Sequence, residues 1–202
     1  MIAGKGTMCG RYFFADKTKH EVEDDLGLGH GLLKTSAGDI TPGMVTPGII
    51  WNRNTSENLS ISELFWGIMS RDRKLIINAR AESVMEKTLF SDSISKRRCI
   101  LPAAGFYEWD KAKTKFIFKR VDAKPLYLAG FYDLSENRDS FVILTTKANK
   151  SMEPVHDRMP VVIDKGNIED YLKDSQAALE MIKDPMPELS KSSDYEQLSL
   201  FM

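Results

Sequence analysis

Cysteine is scarce in this chain of 202 residues, with only Cys9 and Cys99 present. Two cysteines cannot build the disulfide framework of a small secreted protein. Together with three histidines (His20, His30 and His156) they show no paired ligand spacing, so neither a structural metal nor a cofactor is indicated. Long apolar runs are missing as well. No stretch approaches the roughly 18 residues that cross a bilayer, so no membrane partner is expected. Residues 1–7 (MIAGKGT) carry one lysine and no apolar core, unlike a secretory signal. These absences point to a reducing cytoplasm. Strong net charge is also lacking, and −1 for the whole chain argues against a globally basic nucleic-acid binder.

What is present is ordinary for a globular protein: 42% hydrophobic and 28% charged residues. The length fits one domain with a substantial core. Charge is unevenly placed. Residues 70–120 hold 13 Lys/Arg against 6 Asp/Glu, and residues 174–202 hold 2 against 6. The middle could attract phosphates while the tail repels them, although a solvated charged surface explains the same pattern.

Along the chain, residues 11–14 (RYFF) read as a first strand. Thr18 caps a helix running to about Leu26, ended by Gly27 and Gly29. The near-repeat Thr41-Pro42-Gly43 and Thr46-Pro47-Gly48 reads as two turns. Strands are expected at residues 49–51 and 61–68, and residues 75–77 lead from strand into a helix at 78–82. Five short aromatic and β-branched segments follow, at residues 99–102, 105–109, 116–121, 126–132 and 141–146, favouring antiparallel pairing. Residues 167–183 suggest one or two helices, with Ile168, Tyr171 and Leu172 on one face and Ser175 capping the second. After Asp184, prolines, serines and acidic residues suggest a flexible tail. The fold class is therefore α+β, a strand-rich core with peripheral helices.

Four polar clusters interrupt these apolar surroundings: residues 9–11 (CGR), 78–82 (NARAE), 105–109 (GFYEW) and 156–160 (HDRMP). On a strand, Phe106 and Glu108 share one face, Tyr107 and Trp109 the other. A glutamate on an apolar face is costly to ionise, which raises its pKa and suits proton transfer near neutrality. An exposed edge-strand glutamate is the plainer alternative. His156 follows the last strand signal and reads either as a proton carrier or as a hydrogen-bonded turn histidine. Cys9 directly follows Met8. Exposed as a first residue, it would carry a thiol and a free α-amine, a 1,2-aminothiol able to trap aldehydes.

Taken together, the clusters resemble the SRAP family, the SOS-response-associated peptidase domain that shields abasic sites in DNA. The resemblance rests on residues 8–11 (MCGR), 65–67 (FWG), 77–82, 97–99 (RRC), 105–109, 143–146 with 148–149, and 156–160, in family order across about residues 8–173. It implies a single domain with a mainly antiparallel, barrel-like β core and a covalent chemistry at Cys9. The α-amine, with an ordinary pKa of about 7.7–8.0, attacks the aldehyde of an abasic deoxyribose, and the thiol closes a thiazolidine. This is lyase-like crosslinking that shields lesions at replication forks, and the domain could also remove its own leader. By similarity, Asn78 orients the sugar and the amine, Glu108 shuttles protons, and His156 assists ring opening and reversal. Arg11, Arg80 and Arg158 hold phosphates, with Pro42 in the same DNA-binding set, and Trp109 stacks beside the unpaired site. The implied partners are single-stranded DNA and single/double-strand junctions, bound by a monomer at the nucleoid.

Three departures from the family pattern stand out. In the family the cysteine follows the initiator methionine, whereas seven residues precede Met8 here. Residues 68–74 (IMSRDRK) stand where a proline and tryptophans are usual. Asp39 occupies a position where a carboxylate would repel phosphate, so it is expected to turn away. The sequence thus divides into a leader at 1–7, an SRAP-like domain at 8–183 and a tail at 184–202. In that tail Gln197, Leu198, Leu200 and Phe201 resemble a bacterial sliding-clamp-binding pentapeptide, with glutamine fixing register and three apolar side chains filling a pocket. Two other functions use the same residues. A thiol peptidase would take Cys9 as nucleophile and His156 as base. A non-enzymatic module would bind single strands through the basic middle and Trp109.

Overall fold

Short segments of aromatic and β-branched residues, each bounded by turn formers, become strands throughout. The computed structural model describes residues 9–35, 37–52, 58–134 and 138–193. The strands are β1 (Tyr12–Phe14), β2 (Gly38–Ile40), β3 (Val45–Trp51), β4 (Leu59–Trp66), β5 (Ile68–Met69), β6 (Leu75–Ile76) and β7 (Asn78–Arg80). They continue as β8 (Arg98–Ala103), β9 (Gly105–Trp109), β10 (Lys115–Arg120), β11 (Leu126–Asp133), β12 (Ser140–Lys147), β13 (Arg158–Pro160) and β14 (Leu189–Ser193). The α-helices are α1 (Asp16–Asp25), α2 (Ser91–Lys96), α3 (Ile168–Lys173) and α4 (Ser175–Met181).

Two sheets form the core. In the larger, the order β11-β8-β3-β4-β12 closes because β11 also pairs with β12. Five strands thereby form a ring without a free edge, with β7 and β13 added along β12. The expected barrel-like core is this ring. The second sheet, in the order β14-β10-β9-β1-β2, is antiparallel throughout. The chain steps from ring to sheet at Ala104, whose N–H donates to Phe13 O at 2.9 Å.

One side chain ties the two sheets together. Trp66, at the end of β4, is fully buried. Its ring lies 5.2 Å from that of Tyr12 and stacks at 5.9 Å on Phe141. Its indole N–H donates to Ile77 O at 3.0 Å, immediately before Asn78. On the ring's outside, Arg98 secures α3. It donates to the carbonyls of Tyr171 at 2.6 Å and Leu172 at 2.9 Å, closing the last turn of that helix. The expected apolar face of α3 is present, with Ile168, Tyr171 and Leu172 all buried.

Several boundaries differ from expectation. Thr46-Pro47-Gly48 is strand rather than turn. It lies in β3 opposite residues 62–64 of β4, and a Cβ on Gly48 would stand 2.6 Å from Leu64 Cδ1, so glycine there permits close approach. The segment after Arg80 is a 3₁₀ helix, Ala81–Glu86. Ala15, not Thr18, occupies the N-cap of α1, and Thr18 is buried within the helix. Asp174, not Ser175, caps α4, accepting the N–H groups of Gln176 and Ala177. Two pairings of β12, with β4 and with β7, are parallel.

The tail correction is larger. Residues 184–193 do not leave the domain. Leu189–Ser193 adds β14 to the free edge of β10, burying Leu189 and Ser193. Asn149 Nδ2 holds the returning chain at Met186 O (3.1 Å) and Pro187 O (2.9 Å). A polar strand buried only at its two ends reads as tail in sequence because its three middle residues are exposed. The pentapeptide at 197–201 and the leader at 1–7 lie outside the described residues.

Candidate active site

The β1–β9 register brings Cys9 to Glu108. Tyr12 pairs with Phe106 and Phe13 with Gly105, and the N–H of Tyr107 donates to Arg11 O at 3.0 Å. Continued one step further, this antiparallel pairing sets Gly10 against Glu108. The Cys9 backbone N–H donates to Glu108 Oε1. Both residues are buried, Cys9 at 1% and Glu108 at 4% exposure. Cys9 takes a left-handed backbone conformation (φ +52°), which costs a non-glycine residue energy and is most often retained where geometry serves function.

The electrostatics follow from burial. Loss of water pushes the Glu108 carboxyl from 4.5 up to about 7, against the pull of the N–H groups of Cys9 and Trp109. The Cys9 thiol is pushed well above its ordinary value, first by burial and then by the Glu108 charge. The predicted alternation of β9 is present: Phe106 and Glu108 are buried, Tyr107 is half-buried and Trp109 is 37% exposed. A carboxyl near 7 can both give and take a proton at neutral pH.

A second group of polar residues gathers along β12. Asn78 pairs with Ile143 and Arg80 with Thr145, so Asn78 is half-buried and Arg80 exposed. Arg158 faces Lys147 on the other side of β12. Its guanidinium is engaged twice by Glu82, Nη1 to Oε1 at 2.6 Å and Nη2 to Oε2 at 2.8 Å, and also donates to Thr145 O at 2.6 Å. This ion pair holds the Glu82 carboxyl below its ordinary value. Arg158 therefore braces β13 against the 3₁₀ helix rather than standing open to a phosphate. His156 is half-buried. Its Nδ1 lies 3.1 Å from the Arg158 backbone N–H, which it accepts, and 3.0 Å from Asp157 Oδ1. The two groups meet through Trp66, which touches Tyr12 on one side and Ile77 on the other. Pro42 sits beside the same hub, in a turn whose Gly43 N–H donates to Trp66 O at 2.9 Å.

The outward face of the second sheet alternates bases with aromatics. The Arg11 guanidinium lies 5.7 Å from the Trp109 ring. Lys115 covers Tyr107 at 5.1 Å and Lys119 covers Phe13 at 5.6 Å. Such a face suits stacked bases and a phosphate backbone. Asp39 is not turned away, since its carboxylate accepts from Arg11 Nη1 at 3.3 Å. Other cations of the basic middle are spent inside the fold. Arg97 binds Asp92 and Asp133, and Arg120 binds Asp122 and Asp164.

The family model for the SOS response associated peptidase matches residues 8–199 of the chain. The chain belongs to the SRAP family. It is 34% identical over 184 residues to the abasic site processing protein YoqW of Bacillus subtilis, covering 82% of this chain and 80% of that protein. It is 28% identical over 130 residues to the abasic site processing protein YedK of Escherichia coli, covering 59% of each. A phage-related protein of known crystal structure from Bordetella bronchiseptica shares the fold, with a TM-score of 0.76, 22% identity, and coverage of 92% of this chain and 93% of that one.

Three features of this SRAP chain escaped the sequence. Glu82 was visible inside the 78–82 cluster, but its partner lies 76 positions away. Trp66 was visible in the FWG motif without a task. Phe13, Tyr107, Lys115 and Lys119 join one surface only through the β1–β9–β10 register, although period-two alternation in each strand was the available signal.

Proposed function

We propose that this chain processes abasic sites in single-stranded DNA by covalent capture at Cys9. The observation that carries the proposal is the hydrogen bond from the Cys9 backbone nitrogen to the buried Glu108 carboxyl. When Cys9 is the first residue, that nitrogen is the α-amine and already lies beside a proton carrier. The names of the relatives, abasic site processing proteins, support the same substrate.

The chemistry balances as follows. The neutral amine adds to C1′ of the open sugar, forming a C–N bond and a carbinolamine. Protonated Glu108 gives its proton to the departing hydroxyl, one water leaves, and the resulting iminium returns its N–H proton to the Glu108 carboxylate, so that an imine remains. The Cys9 sulfur then bonds to the imine carbon, and its proton passes by way of Glu108 to nitrogen. The product is a thiazolidine, heavier than the free protein by the DNA less one water. Asn78 and His156, on the β12 side of Trp66, would orient the sugar and serve its ring opening. The basic-aromatic face would hold the flanking strand, and residues 197–201 would lead the protein to a sliding clamp. Reaction requires scission of the Met8–Cys9 bond, by removal of an initiator Met8 or of the longer leader, the latter by the domain itself.

The test mixes three proteins with an abasic oligonucleotide and resolves them on a denaturing gel: a Met8-start form, the same form with Cys9→Ala, and a form with an uncleavable leader. Only the first should give a heat-stable adduct, and mass spectrometry should find the loss of one water. An equal adduct with the leader retained would remove the amine from the mechanism. No adduct with the Met8-start form would remove the proposal.

A further inference from the structure

Not used by the proposed chemistry, the second half of α1 holds a buried carboxylate with unusual neighbours. Glu23 is completely buried. Its Oε1 accepts the N–H groups of Gly31 at 2.9 Å and Leu33 at 3.0 Å, anchoring the segment that follows the helix. Its Oε2 is equally buried and has no hydrogen-bond donor. An unsatisfied buried carboxylate oxygen is costly, so its surroundings should explain it.

Those surroundings are two imidazoles. His20 Nδ1 and His30 Nδ1 each stand 3.7 Å from Oε2, and the three candidate ligand atoms lie within 4.8 Å of one another. At 3.7 Å neither nitrogen makes a hydrogen bond. It is instead close to the spacing set by a shared metal ion. Two ligands each about 2.0–2.2 Å from a tetrahedral zinc lie roughly 3.3 Å apart, which small torsions of two exposed side chains can reach. His20 and His30 are 67% and 69% exposed, so the approach is open. His30 is also oriented from behind: its Nε2 lies 3.4 Å from Asp24 Oδ1. A proton held there leaves the Nδ1 lone pair facing Glu23, the usual arrangement of a carboxylate behind a ligating histidine.

We propose that His20, Glu23 and His30 bind a divalent transition-metal ion of the zinc class. Sequence spacing hid the site, because His20 and Glu23 share a helix face three residues apart while His30 comes from the following loop. Two imidazoles and one carboxylate select zinc, cobalt or nickel over magnesium or calcium, which prefer oxygen ligands throughout. The ion would satisfy Oε2 and fasten the loop to α1, with solvent completing its shell.

The test uses tag-free, full-length protein stripped with a chelator. Calorimetric titration with zinc chloride should give one ion per chain and raise Tm by several degrees. Cobalt should produce visible d–d absorption. His20→Ala and His30→Ala, both at exposed positions, should fold normally and weaken binding at least about tenfold. Glu23→Gln keeps an acceptor for Gly31 and Leu33 and should likewise lose affinity. Cys9→Ala should bind as the parent does. Absence of zinc binding would overturn the proposal. So would binding that survives both histidine substitutions, or equal affinity for magnesium, which would mark an ordinary oxygen site.

Discussion

Replacing Glu108 by Gln should separate stability from chemistry in one variant. The carboxyl is 4% exposed, and burial raises it from 4.5 to about 7. At about 1.36 kcal/mol per pH unit, the folded chain prefers the neutral acid by about 3 kcal/mol. Below pH 4.5 the group is protonated in both folded and unfolded chains and imposes no penalty. Between 4.5 and about 7 the unfolded chain ionises while the folded chain does not, so stability falls as pH rises. Above that window both states are ionised and the full loss remains. Glutamine has no such titration. A buried amide N–H left without a partner subtracts a constant of about 1–3 kcal/mol, so the diagnostic is the slope and not the absolute difference. Thermal melts of the leader-bearing protein and its Glu108→Gln variant, from about pH 4 to pH 8, should show the variant gaining on the parent by about 6–12 °C across the window. A difference that stays constant with pH would refute the assignment of a raised carboxyl. In the Met8-start form the α-ammonium would draw Glu108 back down, and the window should narrow. Crosslinking by that form should meanwhile slow by about 10²–10⁴-fold, the usual cost of losing a positioned proton carrier.

Other consequences follow from the same geometry. Trp109→Ala removes an exposed ring proposed to stack a base, so binding of undamaged single-stranded DNA should weaken by about 1–3 kcal/mol with Tm unchanged, read by fluorescence anisotropy. Asp39→Asn releases Arg11 for phosphate, so affinity should rise and the slope of log K against log salt should steepen by about 0.7. Gly105→Ala would put a Cβ 2.6 Å from Phe118 O and 2.8 Å from the Phe13 ring. Its urea midpoint should fall by the equivalent of about 1–3 kcal/mol, and crosslinking should fall with it because β9 carries Glu108.

Much of this fold was legible because strands announce themselves twice, through composition and through turn residues at their ends. All five segments between residues 99 and 146 became strands within two positions of expectation. Glu108 was legible for a stronger reason: period two fixes its face, and burial on that face fixes the direction of its pKa. Long-range pairings carry no local mark. Nothing near Arg158 announces Glu82, and nothing near Arg11 announces Asp39, because side-chain partners are chosen by register after the sheets have formed. Charge counting is incomplete for the same reason. It summed the cations of residues 70–120 without knowing that Arg97, Arg98 and Arg120 are spent on carboxylates and carbonyls within the fold.

The surroundings of Cys9 also bear on which of its two nucleophiles acts first. A thiol peptidase needs a thiolate, stabilised by a neighbouring imidazolium or other positive charge that lowers its pKa. Cys9 has the opposite setting. It is buried, its nearest ionisable neighbour is a carboxyl, and both effects push the thiol upward. The Nδ1 of His156 is instead engaged within its own turn, by the Arg158 N–H and the Asp157 carboxylate. An environment that suppresses the thiolate penalises attack by sulfur on an amide carbonyl. It does not penalise attack by a neutral amine on an aldehyde, and it favours a carboxyl held between its two protonation states. The sulfur then needs only to add to an activated imine within the same residue, where a five-membered ring makes the thiol effectively concentrated. Under the proposed capture chemistry, nitrogen first and sulfur second is therefore the favoured order, and the residue preceding Cys9, rather than the acidity of its thiol, would determine activity.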